Sequence, residues 1–99
     1  LALTSSGPAI IALIIEALSD GGLSGGLQKK LSEELIIEMI LGTIYLLKER
    51  NMTTNDLKNM VTSPAGTTIS ALRVLEKKSV RSALIESIIA ANNRSKEFR

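Results

Sequence analysis

The sequence predicts an all-α fold, and three observations support this prediction. Turn residues and helix caps divide the 99 residues into five segments of helical length. No segment shows the alternation of apolar and polar residues that is typical of a half-buried strand. Leu and Ile supply 27 residues, whereas Tyr45 and Phe98 are the only aromatic ones. The length fits a single domain.

The first predicted helix starts at Ser5-Ser6-Gly7-Pro8, with Ser6 or Gly7 at the cap. Pro8 would stand in the first turn, where its missing N–H costs nothing. The run that follows has no polar side chain before residue 16, and its isoleucines favour strands by propensity. The proline start and the length of the run favour a helix. We expect it to end near residues 20–22 or, alternatively, at residues 25–26.

The second predicted helix covers about residues 28–50, and ten of the 13 residues from Leu35 to Leu47 are apolar. Gly42 indicates a close helix crossing, or else a tolerated defect that costs about 1 kcal/mol. Helices that are apolar on nearly every side must be central, and a small bundle has room for about one. We therefore expect an obligate interface with another copy that exceeds about 2,000 Å². The alternative is a monomer with an unusually apolar core.

The rest of the chain predicts three further helices. Thr53 and Asp56 have the spacing of a capping box, which predicts the start of a short helix over residues 54–61, and Pro64 is expected to end that helix. A fourth helix begins after Gly66 and runs to about residue 78. Ser79 is the expected cap of a fifth helix, which extends to the polar tail.

The composition excludes several kinds of site. The chain has no Cys, His or Trp, so thiolate or imidazole metal sites, disulfides and His-based catalytic triads are impossible. Residues 61–99 carry a net charge of +4, which we interpret as a solvated helix face, an acidic partner being the alternative. No signal peptide is apparent and no segment reaches the roughly 18 apolar residues of a membrane span. We expect no metal, nucleic acid or membrane partner, and a cytoplasmic location.

Small polar and turn residues cluster in the loop Thr62-Ser63-Pro64-Ala65-Gly66-Thr67-Thr68. Gly66 can adopt φ > 0, and Thr67 or Thr68 opens the next helix. The first turn of that helix has no Asp or Glu, so its N–H groups and dipole could receive an outside anion such as a carboxylate or a phosphate. The hydroxyl groups of Ser63, Thr67 and Thr68 would add donors. The alternative is an ordinary capped loop between two helices.

The loop resembles the Ser-Pro-Gly-Gly-Thr-Thr signature of the pyrroline-5-carboxylate reductase family. Residues 5–9 are similar to the family's Ser-Gly-Ser-Gly-Pro-Ala segment, and residues 15–22 resemble its Glu-Ala-Leu-x-Asp-(Ala/Gly)-Gly segment. Family-like residues also occur at Leu41-Gly42-Thr43, Val74-Leu75-Glu76 and Arg94-Ser95-Lys96-Glu97. The resemblance covers essentially the whole chain.

The resemblance implies that residues 1–99 are the helical dimerisation and substrate-binding domain of such an enzyme, without its N-terminal Rossmann domain. It implies a five-helix bundle that interlocks with a second subunit, like the C-terminal domain of 6-phosphogluconate dehydrogenase. Family members are homodimers, and some assemble into decamers. They reduce 1-pyrroline-5-carboxylate to L-proline with NADPH or NADH. We expect the isolated chain to bind no cofactor and to be inactive.

The resemblance also implies roles for single residues. Ser63, Gly66, Thr67 and Thr68 would hold the substrate carboxylate, and Thr68 would act as the catalytic residue, beside the ring nitrogen. The residues that bind the cofactor would lie in the other domain. Ala65 replaces the first glycine of the usual pair, which costs about 1 kcal/mol if that position needs φ > 0. Two alternatives remain: a related NAD(P)-dependent reductase with another substrate, or a helical oligomerisation module without catalysis.

Overall fold

A computed structural model describes residues 2–62 and 66–97, and these ranges form five helices with no strand. The predicted all-α fold and the order of its helices are confirmed. The chain folds into two compact units, one of Leu1–Pro8 with Lys58–Arg99 and the other of Ala9–Leu57. The helices are α1 Ala2–Ser24, α2 Lys29–Glu49, α3 Thr54–Val61, α4 Thr67–Lys77 and α5 Val80–Lys96.

Helix α1 begins earlier than its sequence suggests. It starts at Ala2, so Pro8 lies inside the helix and the predicted start at residues 5–8 is wrong. Proline fixes φ near the helical value, but inside a helix it removes one hydrogen bond and its ring crowds the carbonyl four residues earlier. Ala2 is buried, which holds the additional turn in place.

Helix α1 ends at the second of the two predicted positions. Gly26 adopts φ 98°, and its N–H donates to the Leu23 carbonyl over 3.0 Å. The Leu27 N–H donates to the Gly22 carbonyl over 3.1 Å. These two bonds form a Schellman motif. Gly21 and Gly22 therefore lie inside the helix.

The 23 residues of α1 make it long and apolar enough to cross a membrane by length and composition. This corrects the expectation that no segment reaches that length. The difference arises because α1 begins at Ala2 and continues through Gly21 and Gly22 to Ser24. The core helix of a soluble protein can pass the same test, so the finding alone is weak support for a membrane span.

The close helix approach occurs at Gly22 and not at Gly42. No atom of the described chain lies within 4 Å of the position that a Cβ on Gly42 would take. A Cβ on Gly22 would overlap the Ser32 Oγ and lie 3.1 Å from the Ser32 Cβ. Gly42 therefore marks no crossing between the helices of residues 2–62 and 66–97.

The two predicted caps have different outcomes. At α3 the Asp56 N–H donates to the Thr53 Oγ1 over 3.0 Å, and the Thr53 N–H donates to the Asp56 Oδ2 over 3.2 Å, which confirms the capping box. Ser79 precedes α5 as predicted, but its φ of 60° is left-handed and its side chain makes no capping hydrogen bond. A side-chain cap requires an extended backbone at that residue. The predicted capping by the Ser79 hydroxyl is therefore wrong.

Most large apolar side chains in both units remain accessible to solvent. In the described ranges Ala2 is the buried hydrophobic residue, while Leu13 is 64% and Ile85 55% exposed. Helix α2 contains one buried residue, Ser32. The alternative of a monomer with an unusually apolar core does not fit this distribution.

Candidate anion site at the start of helix α4

The described part of the predicted site consists of Gly66, Thr67 and Thr68. Ser63 and Ala65 lie outside the described residues, so their predicted roles remain predictions. The same holds for the prediction that Pro64 ends α3, although α3 does end at Val61 as expected.

Gly66 has the backbone conformation that the loop sequence predicted. Its φ is 80° and its ψ −2°, in the left-handed region that favours glycine. Among the described residues other than Gly66 and its chain neighbours, no heavy atom lies within 4 Å of the position where a Cβ would stand. The requirement for glycine here is therefore conformational and not steric.

Thr67 and Thr68 are the first two residues of α4, so the structure brings both predicted threonines to one helix end. The first helical hydrogen bond runs from the Ser70 N–H to the Gly66 carbonyl over 3.0 Å. The N–H groups of Thr67, Thr68 and Ile69 precede it, so the geometry of a helix gives them no intrahelical acceptor. Thr67 is exposed and Thr68 is half-buried. This end of α4 can donate several hydrogen bonds to an anion.

The absence of acidic residues from the first turn does not by itself distinguish α4. Helices α1, α2 and α5 also lack an acid there, and among the described helices only α3 has one, Asp56. The distinguishing features of α4 are the left-handed Gly66 and the two threonines directly after it. The predicted site therefore depends on these three residues and not on the missing acid.

An apolar groove of about 280 Å³ in the same unit was not predicted. An exposed ion pair between Arg81 Nη2 and Glu76 Oε2, 3.1 Å apart, lies among its lining residues. Exposed pairs of this kind contribute at most about 1 kcal/mol. The sequence signal for this groove is the apolar spacing of α4 and α5, which indicates packing and not a ligand. The groove is lined by Lys58, Leu72, Leu75, Glu76, Val80, Arg81 and Leu84.

Metal-ligand geometry does not occur in the described ranges. No group of three or more Asp and Glu residues there is arranged to hold a metal ion. The polar features of residues 66–70 are hydroxyl and backbone N–H donors, which suit an anion.

The fold and the site define a class: an all-helical domain with large exposed apolar faces and a Gly-Thr-Thr helix entrance. A family model described as pyrroline-5-carboxylate reductase dimerisation matches residues 1–98. The chain belongs to this pyrroline-5-carboxylate reductase dimerisation family.

Relatives and solved structures agree with this assignment. The chain is 47% identical over 95 residues to a pyrroline-5-carboxylate reductase of Synechocystis and 43% identical over 96 residues to one of Arabidopsis thaliana. These matches cover 96% and 97% of the chain but only 36% and 35% of the relatives. The chain therefore spans about a third of the length of these curated relatives.

Two solved structures have the same fold. A Plasmodium falciparum pyrroline carboxylate reductase with NADP bound matches with a TM-score of 0.92 and 34% identity, over 97% of this chain and 39% of that one. A Coxiella burnetii pyrroline-5-carboxylate reductase matches with a TM-score of 0.90 and 42% identity, over 97% and 36%.

Proposed function

We propose that this chain is the dimerisation and substrate-binding domain of an enzyme that reduces 1-pyrroline-5-carboxylate to L-proline with NADPH or NADH. The observation that carries the proposal is the family match over residues 1–98. The left-handed Gly66 followed by Thr67 and Thr68 supports the substrate part of the proposal. The exposed apolar faces of the helices support the dimerisation part.

The proposed partner is a second copy of this chain, bound against α1 and α2. Ile11 and Leu13 on α1 are 48% and 64% exposed, and Leu35, Met39 and Ile44 on α2 are 49%, 48% and 52% exposed. Covering the exposed half of such a side chain contributes about 1 kcal/mol. Ten or more of them in each subunit can offset the association cost of about 4–15 kcal/mol.

The oligomeric state tests this part of the proposal. In sedimentation velocity at graded concentrations, we expect a dimer or a multiple of dimers, the decamer of some family members among them. A monomer that persists at high protein concentration would contradict the proposed dimerisation.

The proposed substrate contact is a carboxylate held at the start of α4. The N–H groups of Thr67 and Thr68 point out of the positive end of the helix dipole, and the exposed Thr67 leaves this end accessible. Gly66, left-handed at the entrance, and Ser63 complete the proposed binding residues. We assign Thr68 the catalytic role, with its hydroxyl group beside the ring nitrogen. The chain would thereby position the imine for reduction.

The proposed cofactor is held by residues outside this chain. Dinucleotides are bound where a strand turns into a helix through a glycine-rich loop. Residues 2–62 and 66–97 contain no strand, so they do not fit a nicotinamide dinucleotide. The cofactor would supply hydride to the imine carbon, while the residues of this chain orient the substrate.

Substitution of Thr68 in the full-length enzyme tests the site. Thr68→Ala should lower kcat/KM by about tenfold or more, because a hydrogen bond to a charged partner contributes about 1.5–3 kcal/mol. Thr68→Ser keeps the hydroxyl group and should retain most of the activity. Thr54 is the control because it lies in the first turn of α3, as Thr68 lies in the first turn of α4, and Thr54→Ala should leave kcat/KM unchanged.

Three results would count against parts of this proposal. Equal kcat/KM for Thr68→Ala and the wild type removes Thr68 from the site. A wild-type enzyme that reduces other cyclic imines but not pyrroline-5-carboxylate indicates the related reductase with another substrate. An enzyme with no reductase activity indicates an oligomerisation module.

We propose a cytoplasmic location without membrane insertion, although α1 has the length and composition of a span. Helix α1 carries Glu16 and Asp20, and its Ser19 is buried within this chain. Flotation with neutral phospholipid vesicles tests whether the protein inserts into a membrane. We expect the protein to stay at the bottom of the gradient, and recovery with the vesicles would contradict it.

A further inference from the structure

The unit Ala9–Leu57 holds its two helices together at one polar contact. Ser19 and Ser32 are its buried described residues, at 5% and 1% exposure. The Ser32 Oγ donates to the Ser19 carbonyl over 2.7 Å. The contact therefore joins α1 to α2 in a region where the surrounding large apolar side chains are exposed.

Gly22 makes this contact possible by leaving space. A Cβ at residue 22 would overlap the Ser32 Oγ, lie 3.1 Å from the Ser32 Cβ and lie 3.4 Å from the Leu27 Cδ1. The neighbouring Gly21 has no atom within 4 Å of the corresponding position. Of these two adjacent helical glycines, only Gly22 is required for space.

The turn between the helices ends at the same place. The Leu27 N–H donates to the Gly22 carbonyl over 3.1 Å, as the longer bond of the Schellman motif. Gly22 thus takes part in both the turn and the crossing. We call the group Ser19, Gly22 and Ser32 the α1–α2 clasp.

We propose that the clasp is a positioning device that sets the angle between α1 and α2, so that their exposed apolar faces fit a second copy of the chain. The proposal rests on the proposed dimerisation. Ser32 lies 17 residues before the end of α2 at Glu49, a distance of about 26 Å at 1.5 Å per residue. A tilt of about 10° at the clasp displaces that end by about 4.5 Å, roughly half of the 8–10 Å that separates the axes of packed helices. Side chains in the core of an interface pack as closely as those in a protein interior. A displacement of this size would separate them.

A pair of alanine substitutions isolates the steric part of the clasp. Gly21→Ala and Gly22→Ala bring the same methyl group and the same gain in helix propensity. Only Gly22→Ala meets the Ser32 side chain. We expect the dimer dissociation constant, measured by sedimentation equilibrium, to rise about tenfold or more for Gly22→Ala and to stay within about twofold for Gly21→Ala. Circular dichroism at 222 nm should show retained helix in both.

A complementary substitution shows whether Ser32 causes the effect. Ser32→Gly removes both atoms that a Cβ at residue 22 would approach most closely, which leaves the Leu27 Cδ1 at ordinary contact distance. In the Ser32→Gly background, Gly22→Ala should leave the dissociation constant unchanged or lower it. If Gly22→Ala alone unfolds, recovery of helix in the double variant shows that the clash with the Ser32 side chain causes the loss.

Two results would overturn the proposal. One is a Gly22→Ala dimer as tight as the Gly21→Ala dimer. The other is a Gly22→Ala variant whose dissociation constant rises by the same factor with serine or with glycine at residue 32. Unfolding of Gly22→Ala that Ser32→Gly does not reverse belongs to this second result. A wild-type chain that stays monomeric contradicts the proposed dimerisation instead, so the two failures are distinguished by measuring the wild type first.

Discussion

Replacing Gly66 by alanine changes the backbone preference at the entrance to α4 without creating a clash. Gly66 has φ 80°, and beyond its chain neighbours no atom of the described ranges lies within 4 Å of the position that the new methyl group would occupy. The left-handed conformation costs an L-residue about 1–2 kcal/mol. The lower entropy of the unfolded alanine variant offsets about 0.4–1 kcal/mol of this cost. The net loss in the free energy of unfolding is about 1 kcal/mol.

Urea unfolding followed at 222 nm measures this loss, at a fixed protein concentration because the stability of a dimer depends on it. A loss of 1 kcal/mol corresponds to a decrease in Tm of about 4–8 °C for a domain of this size. Gly21→Ala is the control: it lies within helix α1 with open space around it, and should raise the stability by about 1 kcal/mol. Equal or higher stability for Gly66→Ala would refute the left-handed entrance and the anion site built on it.

Three further predictions concern the caps and the proposed interface. Thr53→Ala should lower the free energy of unfolding by about 1–2 kcal/mol in urea, because it removes the capping box, and a loss below about 0.3 kcal/mol would contradict this. Ser79→Gly should raise the free energy of unfolding by about 1 kcal/mol, because φ is 60° at this position. The control Ser79→Ala loses no cap and should change the free energy of unfolding by less than about 0.5 kcal/mol. A destabilised Ser79→Gly variant would refute the left-handed backbone. Leu35→Glu should raise the dimer dissociation constant about tenfold or more in sedimentation equilibrium. The control Glu34→Gln, at the exposed neighbouring residue, should leave the dissociation constant unchanged. An unchanged dissociation constant for Leu35→Glu would exclude Leu35 from the interface.

The helices could be predicted because their signals are local in sequence. Helix α3 covers the residues that the capping box at its start and Pro64 after its end predict, and the glycine pair at residues 25–26 is the correct one of two choices for the end of α1. The start of α1 was missed because proline usually occupies the first turn. Here the helix continues N-terminally to the buried Ala2, and no local motif reports that burial.

The candidate site was predictable only in part, for a similar reason. The positive φ of Gly66 and the helix start at Thr67 follow from turn and capping preferences. The missing acid carried less information than expected, since three other helices also lack one. Residue 79 is a serine and not a glycine, so no turn signal in the sequence predicts its left-handed backbone. This conformation depends on how α4 joins α5.

Three glycines illustrate why a residue type alone does not predict its role. Gly26 and Gly66 are needed for their backbone, with φ of 98° and 80° and open space around them. Gly22 is needed for space, because its missing Cβ admits the Ser32 side chain ten residues later in the sequence. The first role appears as a turn signal, whereas the second depends on which residue of α2 faces α1 and can be read only from the folded chain. Ser19 and Ser32 are the buried described residues of their unit, so on the clasp proposal this contact places α2, and the exposed apolar residues around it do not.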